Sequence, residues 1–337
     1  MIAPIPSLRG GSQQTPLSPP SPLRGREKHV RAPITCIAKT ARNSIAGLSH
    51  RLACIFFSLT LLTVMLMSHP AAAEPLRIAS LNLCTDQLLL AMTPRENIAG
   101  VTFMAADQHL SYYAREAEGL PVLDADAESI LSAKPDIVIT VTGTRPQTSA
   151  MLRSLGIPVL EFALPQHLAE IPAYIRAIAS AIGEPEKGTQ LVARMKKQLK
   201  EAQANAHARG RPLVAAIEAN HIAHGGGTML GELIRLTGGD NLASRLGKSG
   251  LATLSLEEIV YHQPDILIYG TYDASRLAQG ETYLFHESLE PYHDSGRAIR
   301  LPSHLTSCPD HTAGEAALAL AKALDYALGT RRFALAQ

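Results

Sequence analysis

Three short segments contain side chains that could contact a ligand or a metal ion. They are DQHLSYYAR at 107–115, NHIAHGGGT at 220–228 and SHLTSCPDH at 303–311. Neutral imidazole binds zinc, iron and cobalt, and tyrosine rings pack well against large ligands. The candidate ligand-contacting residues in these segments are His109, Tyr112, Tyr113, His221, His224, His304 and Cys308. Each segment also fits a structural role, because neighbouring tyrosines alternate faces and glycine-rich turns are ordinary loops.

Two further candidates follow predicted strands. Arg145 comes directly after the apolar strand DIVITV and could pair with an anionic ligand. A solvated or helix-capping arginine fits that position equally well. Tyr272 lies in the loop after the strand DILIYG, where an aromatic side chain could contact the same ligand.

Cys84 and Cys308 are the two cysteines, out of four, that lie after residue 73. An oxidising compartment permits a disulfide between them, provided that their Cα atoms lie within about 7 Å. A shared ligand contact and two unconnected thiols are the other interpretations of the pair. A bridge would pin the two halves of the protein to each other.

Motifs of common catalytic sites are absent from the sequence. It contains no G-x-S-x-G, H-E-x-x-H or C-x-x-C pattern. We therefore expect a binding protein that is not an enzyme.

The elements that must position these side chains alternate between strands and helices. Such alternation indicates an α/β fold with parallel sheets flanked by helices. Strands are predicted at 77–81, 98–103, 136–141 and 157–162, and again at 212–219, 265–270 and 298–302. The first helix is predicted at 85–92, capped by Thr85 or Asp86. Between the two sets lies a long helical pattern without a strand.

These patterns predict two similar lobes, an N-terminal lobe at 74–182 and a C-terminal lobe at 211–337. A connecting helix at 183–210 joins them as a rigid link. The three ligand segments follow predicted strands, and ligands bind at the carboxyl ends of strands in open α/β sheets. We therefore expect the ligand cleft between the lobes.

One helix-and-strand unit occurs twice. AESILSAKPDIVIT at 127–140 and LEEIVYHQPDILIY at 256–269 are identical at six of 14 positions, with an offset of 129 residues. Each copy has a glutamate at its helix start, Glu128 and Glu257. A carboxylate there complements the helix dipole by about 0.3–1 kcal/mol, which is the ordinary explanation of both glutamates.

The N-terminal residues read as an export signal. Arg51, the apolar run Leu52–Met67 and the small residues Ala71–Ala73 are typical of a secretory signal peptide at 51–73. Residues 1–50 have no hydrophobic period, and we interpret them as an unstructured leader or a misassigned start. Residues 1–73 contain eight of the 31 Lys and Arg and one of the 30 Asp and Glu, so residues 74–337 carry a net charge of −6. That charge argues against a nucleic-acid partner.

Taken together, these features resemble the periplasmic substrate-binding proteins of ABC importers, in the class that captures cobalamin, ferric siderophores or haem. The resemblance lies in the repeated unit, in SLNLCTDQLLLAM and in GELIRLTGGDNLA, and it spans about 76–328. It implies a monomeric periplasmic receptor without a cofactor of its own, whose partner is an inner-membrane ABC permease with ATPase subunits. It also implies that Glu128 and Glu257, or Glu258 if the register shifts, dock onto the permease.

Two alternatives remain open at this point. The first is a receptor for free Zn²⁺ or Mn²⁺, with His109, His221, His304 and Asp310 as ligands. The second is an exported metalloenzyme built around Cys308 and the neighbouring histidines.

Overall fold

A computed structural model of the protein describes residues 76–124, 126–204, 206–271 and 283–334. The predicted leader at 1–50, the predicted signal peptide at 51–73 and Tyr272 lie outside the described residues. Within the described ranges, no helix combines the length and apolar character needed to cross a membrane.

The N-terminal lobe is built on a four-stranded parallel sheet with strand order β2-β1-β3-β4. Its strands are β1 (Ile78–Ser80), β2 (Ile98–Gly100), β3 (Ile137–Val141) and β4 (Val159–Phe162). Its helices are α1 (Leu83–Met92), α2 (Ala114–Ala117), α3 (Ala127–Ser132), α4 (Pro146–Ser154) and α5 (Ile171–Ala181). The apolar side chains of β1, β2 and β3 are almost entirely buried, as expected for a sheet covered on both faces, whereas Leu160 and Phe162 of the edge strand β4 are partly exposed.

The first helix starts earlier than the sequence predicted. Its N-cap is Asn82, whose side-chain oxygen accepts from the Cys84 N–H at 2.9 Å. Thr85 and Asp86, the expected caps, lie within the helix and are fully buried. Their polar groups are bonded to other parts of the lobe, which is why they do not cap.

The connecting helix is α6 (Pro185–Gln203), which packs between α5 and the C-terminal helix α11 (Ala313–Ala334). Proline at its first position fits the helix start, where no backbone N–H bond is lost. A Cβ on Gly188 would lie 2.4 Å from Ala179 Cβ, so glycine is what permits the close approach of α5 and α6. The helix is shorter than the predicted 183–210.

The C-terminal lobe contains a mixed sheet with strand order β10-β9-β5-β6-β8 and a short strand β7 beside β5. The strands are β5 (Leu213–Ile217), β6 (Ile222–His224), β7 (Asp240–Asn241), β8 (Leu251–Thr253), β9 (Ile266–Thr271) and β10 (Ala298–Pro302). The remaining helices are α7 (Met229–Leu236), α8 (Leu242–Arg245), α9 (Leu256–His262) and α10 (Glu290–Asp294).

The prediction of a wholly parallel second sheet is therefore corrected. Strand β6 runs antiparallel to both β5 and β8. The chain reverses between β5 and β6 because Asn220 and His221 adopt left-handed backbone conformations, with φ of 58° and 61°. The glycines that follow, at 225–227, connect β6 to α7, so they form the expected strand-to-helix turn one strand later.

The hydrophobic core is continuous between the lobes. One cluster of buried side chains contains Leu88 of the first lobe, Met195 of the connecting helix, and Leu233 and Leu320 of the second lobe. Burial of such aliphatic side chains contributes roughly 1.5–3 kcal/mol each. The core therefore holds the lobes together along the connecting helix.

The repeated unit has the same local structure in both lobes. Helices α3 and α9 end before Lys134 and Gln263, which have left-handed φ angles of 51° and 46°. Asp136 Oδ2 then accepts the N–H of Arg77, and Asp265 Oδ2 accepts the N–H of Leu213, each at 2.8 Å. The repeated Pro-Asp pair thus ends a helix and satisfies a backbone donor at the start of the neighbouring strand.

Candidate functional site

A disulfide connects the two lobes where their strands end. Cys84, in the first turn of α1, is bonded to Cys308, and their Cα atoms lie 5.2 Å apart across a sequence separation of 224 residues. Cys308 is fully buried. Its sulfur is therefore not available as a thiolate ligand, which removes Cys308 from the candidate ligand-contacting residues.

Tyr112 also spans the lobes. Its hydroxyl donates to Glu315 Oε2 of α11 at 2.6 Å, and its backbone N–H donates to Gln87 Oε1 at 2.8 Å. Burial, followed by the bond to the Glu315 carboxylate, raises the pKa of the Tyr112 phenol. The phenol stays protonated at neutral pH and is directed to the other lobe.

Tyr113 makes the parallel connection to His311. The Tyr113 hydroxyl lies 2.7 Å from His311 Nε2. Burial raises the pKa of Tyr113 to about 12, and burial lowers the pKa of the His311 imidazole, with Asp310 opposing. His311 Nδ1 lies 3.6 Å from Asp310 Oδ1, so a proton on Nδ1 is favoured and Nε2 accepts from Tyr113.

Gln87 completes this set of bonds. Its Nε2 donates to Asp310 Oδ2 at 3.1 Å, and both residues are fully buried. The second carboxylate oxygen of Asp310 accepts the N–H and the hydroxyl of Thr312 at 2.8 Å each. Leaving one such buried partner unpaired costs about 1–3 kcal/mol. We call the disulfide together with the bonds of Gln87, Tyr112 and Tyr113 to the second lobe the interlobe clamp.

The sequence directed attention to Tyr112 and Tyr113 but not to their partners. Gln87 and Glu315 lie outside the predicted ligand segments, and His311, the last residue of SHLTSCPDH, was not expected to pair with Tyr113. They lie up to 223 residues from the groups they bind, so no local pattern identifies them. The hydroxyls of both tyrosines are occupied by the second lobe.

His109 and His304 approach the lobe boundary from opposite sides. The His304 ring lies 6.1 Å from the ring of Tyr112, between centroids. Burial lowers the pKa of His304, Glu315 raises it, and the nearby His109 lowers it further. Within the described ranges neither imidazole makes a hydrogen bond, so their ring nitrogens are available to a ligand.

His224 lies on the wall of a cavity of about 220 Å³ between the lobes. Pro165 and Gln166 line it from the first lobe, and Thr228 and Leu251 from the second. His224 Nε2 lies 2.9 Å from Glu218 Oε1, which orients the imidazole. The sequence identified His224 but not the carboxylate that orients it.

His221 does not line this cavity. Its ring stacks on Tyr283 with centroids 4.0 Å apart, and the Tyr283 hydroxyl donates to the Glu218 carbonyl at 2.5 Å. His221 Nδ1 is buried and has no hydrogen-bond partner among the described residues. The structure therefore brings His221 and His224 into one cluster with Glu218 and Tyr283.

Arg145 is located at the start of α4, where it occupies the N-cap position with φ of 53° and forms no side-chain cap. It is half-buried. Among the described residues, no three His, Cys, Asp or Glu side chains converge closely enough to hold a metal ion.

A buried carboxyl group lies at the base of the first lobe's strand ends. Asp86 is fully buried and accepts from the Thr102 hydroxyl at 2.5 Å and from the Thr102 N–H at 3.3 Å. Burial raises the pKa of Asp86 to about 7, against the opposing effect of these bonds.

Glu128 and Glu257 are both exposed at the second position of their helices, α3 and α9. A bond from its own backbone N–H, and then one with Ser255, holds the pKa of Glu257 below its usual range. Glu258 is engaged elsewhere, because it accepts the Ser255 N–H at 2.8 Å and pairs with Lys248 Nζ at 2.9 Å. Glu257, rather than Glu258, is therefore the exposed counterpart of Glu128.

The chain is similar in sequence to known binding proteins. The sequence model of a family described as periplasmic binding protein matches residues 78–281. A cobalamin-binding protein of Halobacterium salinarum is 24% identical over 209 residues, 61% of this chain and 56% of that protein. The chain thus matches just over half the length of that relative. A vitamin B12-binding protein of Yersinia pestis is 23% identical over 215 residues, 61% of this chain and 73% of that protein.

Solved structures show the same fold. The periplasmic heme-binding protein RhuT from Roseiflexus sp. RS-1 superposes with a TM-score of 0.66 and 26% identity, over 76% of this chain and 100% of that chain. The vitamin B12-binding protein BtuF of Vibrio cholerae superposes with a TM-score of 0.56 and 19% identity, over 75% and 98%. By their names, these relatives bind cobalamin, vitamin B12 or heme.

Proposed function

Because the chain belongs to the periplasmic binding protein family, we propose that it captures a metal complex in the periplasm and delivers it to an ABC permease of the inner membrane. The proposed cargo is cobalamin, haem or a ferric siderophore. The names of the relatives, which bind cobalamin or heme, favour a tetrapyrrole. Export through the segment at 51–73 is part of the same proposal.

The observation that carries the proposal is the pair of imidazoles at the lobe boundary. His109 comes from the first lobe and His304 from the second, and neither has a hydrogen-bond partner among the described residues. Burial lowers the pKa of His304 against the opposing effect of Glu315, and this direction favours the neutral imidazole that binds a metal. His224, oriented by Glu218, offers a third imidazole on the cavity wall.

Tyr112 and Tyr113 have a different role in this proposal. Their hydroxyls bond to Glu315 and His311, so the two tyrosines hold the lobes at a set distance. Cargo contacts then come from the ring faces of these residues and from the imidazoles. Arg145 and Tyr272 stay proposed cargo contacts.

A ligand panel tests the cargo. The purified protein is heated with cobalamin, cobinamide, hemin, a ferric hydroxamate, a ferric catecholate, ferric citrate or Zn²⁺. Ligand at about a hundred times its Kd adds roughly 2.7 kcal/mol of stability. The melting temperature should then rise by roughly 2–4 °C with one class of metal complex. A response to Zn²⁺ alone would instead support the free-metal alternative.

Variants link that response to the site. H109A/H304A should weaken the responding complex about tenfold or more, and it should shift the visible absorption band if an imidazole binds the metal. H207A is the matched control, because His207 is exposed and lies away from these groups. Unchanged affinity in H109A/H304A would remove both histidines from the cargo site.

The proposed permease contacts are Glu128 and Glu257. Both carboxylates are exposed, one on each lobe, at equivalent positions of the repeated unit. Two such carboxylates suit arginine-containing pockets on a permease whose halves match the two lobes.

A further inference from the structure

Strands β6 and β8 connect the cavity that contains His224 to the start of α9. At one end of this antiparallel pair, His224 lies opposite Leu251, and both residues line the cavity. At the other end, the Leu254 N–H donates to the His221 carbonyl at 2.9 Å. Ser255, the N-cap of α9, follows directly. Because β8 has three residues, about 10 Å of strand separates the cavity from the helix.

Lys248 contacts both ends of this connection through different atoms. Its backbone carbonyl accepts the Gly226 N–H at 3.1 Å, in the glycine segment beside the cavity. A Cβ on Gly225 would lie 2.4 Å from the same carbonyl oxygen, so glycine is what permits this close approach. The Lys248 Nζ donates to the Thr253 carbonyl at 2.6 Å and pairs with Glu258 Oε1 at 2.9 Å. One residue thus joins the glycine segment to the first turn of α9.

The first turn of α9 also contains the proposed permease contact of the second lobe. Glu258 forms the capping box with Ser255, and the bond with Lys248 holds the pKa of the Glu258 carboxyl below its usual range. Glu257 is the adjacent residue of the same turn, and it is exposed. The orientation of Glu257 therefore depends on the groups that fix this turn.

The equivalent helix of the first lobe is held differently. Glu128 of α3 follows the Asp126 cap, which accepts the Ser129 N–H at 2.8 Å. Within the described ranges no ion pair holds this turn. The two proposed permease contacts therefore differ in what supports them, although they occupy equivalent positions of the repeated unit.

We propose that Lys248 is a positioning residue that transmits occupancy of the cavity to Glu257. A tetrapyrrole in the cavity contacts His224 and Leu251 and restrains β6 and β8, and Lys248 then holds the first turn of α9 in one orientation. A permease that binds Glu257 thereby distinguishes loaded from empty protein through the second lobe. This inference rests on the proposed function, because it requires both the cargo and the permease contact.

Hydrogen–deuterium exchange of the purified protein tests this link. The probes are hemin and cyanocobalamin, each at about a hundred times its Kd. The Glu258 N–H, which donates to Ser255 Oγ at 3.2 Å, reports on α9, and the Ser129 N–H reports on the equivalent turn of α3. A bound probe should slow exchange at Glu258 about fivefold or more and leave exchange at Ser129 unchanged. Mass spectrometry with electron-transfer dissociation resolves the two amides.

K248M removes the bonds of the Nζ and keeps the backbone contact with Gly226. The effect of the probe on Glu258 should disappear in K248M, while probe affinity stays unchanged because Lys248 does not line the cavity. A merely structural role of Lys248 would instead speed exchange at Glu258 equally with and without the probe, and the effect of the probe would remain.

R245M is the matched control. Arg245 is a cation of the same segment and pairs with Asp240, and within the described ranges it bonds to neither β8 nor α9. This variant should therefore keep the wild-type effect of the probe on Glu258. Both are surface substitutions, and circular dichroism checks that each variant is folded.

Several results would overturn this inference while leaving the proposed function intact. They are no slowing at Glu258 although a probe binds, equal slowing at Glu258 and Ser129, an undiminished effect in K248M, and equal loss of the effect in R245M. If neither probe raises the melting temperature, the proposed tetrapyrrole cargo is itself wrong, and this inference fails with it.

Discussion

Helices α3 and α9 are copies of one unit, and they differ in how their first turns are held. In α3, Asp126 caps the helix by accepting the Ser129 N–H at 2.8 Å. In α9, Ser255 and Glu258 form a reciprocal capping box, and Lys248 pairs with Glu258. The second position is glutamate in both helices, although each helix already has its cap. Capping by Asp126 and Ser255 therefore does not require Glu128 or Glu257, whose carboxylates complement the helix dipole and are the proposed permease contacts.

The lobes also differ after their first strands. In the first lobe β1 leads into α1, which carries the buried Asp86 and the bridged Cys84. In the second lobe β5 turns back into β6, and the imidazole of His224 comes from that return strand. The first lobe thus contributes a helix that is covalently bonded to the second lobe, and the second lobe contributes the imidazole of His224.

The largest expected effect comes from reversing both glutamates. E128R/E257R should reduce uptake of the cargo in cells by about a hundredfold or more, because two carboxylate contacts become repulsive. Cargo affinity of the purified variant should be unchanged. The single variants E128R and E257R then measure whether the two lobes contribute equally to docking.

E258R provides the control for that experiment. Glu258 is engaged with Ser255 and Lys248, so its reversal should lower stability without abolishing uptake. Normal uptake by E128R/E257R, or loss of uptake in E258R alone with stability retained, would contradict the docking assignment.

The second prediction concerns Asp86, the buried carboxyl of the first lobe. Its pKa is raised from 3.8 to about 7, so the folded state binds a proton that the unfolded state has lost. The free energy of unfolding should therefore decrease as pH rises from about 4 to about 7, and this contribution should then level off. Urea unfolding across this pH range measures the slope.

D86N should remove that part of the pH dependence, because asparagine does not ionise. D124N, at an exposed position, should retain it. A slope that is the same in the wild type and D86N would show that Asp86 is not the group responsible.

The third prediction compares the aspartates of the two Pro-Asp pairs. D265A should lower the free energy of unfolding by about 2 kcal/mol, and D136A by about 1 kcal/mol. The first value is larger because the Asp265 bond to Leu213 is partly buried, whereas the Asp136 bond to Arg77 is exposed. Urea unfolding of both variants tests the order, and equal losses would contradict the burial argument.

The smallest effect is expected from the capping box. E258Q keeps the hydrogen bond to Ser255 but removes the ion pair with Lys248, and it should lower stability by less than about 1 kcal/mol. S129A in α3 should be similarly mild, because Asp126 accepts from the Ser129 backbone. A loss of stability well above about 1 kcal/mol in E258Q would mean that the ion pair with Lys248 stabilises α9 more strongly than expected.

Much of the fold follows from sequence patterns. Apolar strands bounded by helices predicted the α/β architecture, and the 129-residue repeat predicted a similar unit in each lobe. The reversal at Asn220 and His221 was missed, because left-handed conformations at non-glycine residues leave no reliable sequence signal. For the same reason the antiparallel strand β6 was not predicted.

The candidate site was predicted only by residue type. His109, His224 and His304 were identified because imidazoles suit metal ligands, but their surroundings depend on tertiary contacts. Tyr113 directly precedes α2 and His311 lies two residues before α11, 198 residues away, so their pairing depends on how the two lobes meet. The role of Tyr113 in joining the lobes therefore could not be derived from the segment around it.

The disulfide between Cys84 and Cys308 gives the chain a ring topology. The 224-residue separation between the two cysteines includes the connecting helix and most of both lobes. A protease that cuts a single peptide bond anywhere inside this ring would leave both fragments covalently attached. The nicked protein would run as one band on a denaturing gel without reductant and as two bands after reduction. A single cut at the surface would therefore not separate the histidines of the two lobes from each other.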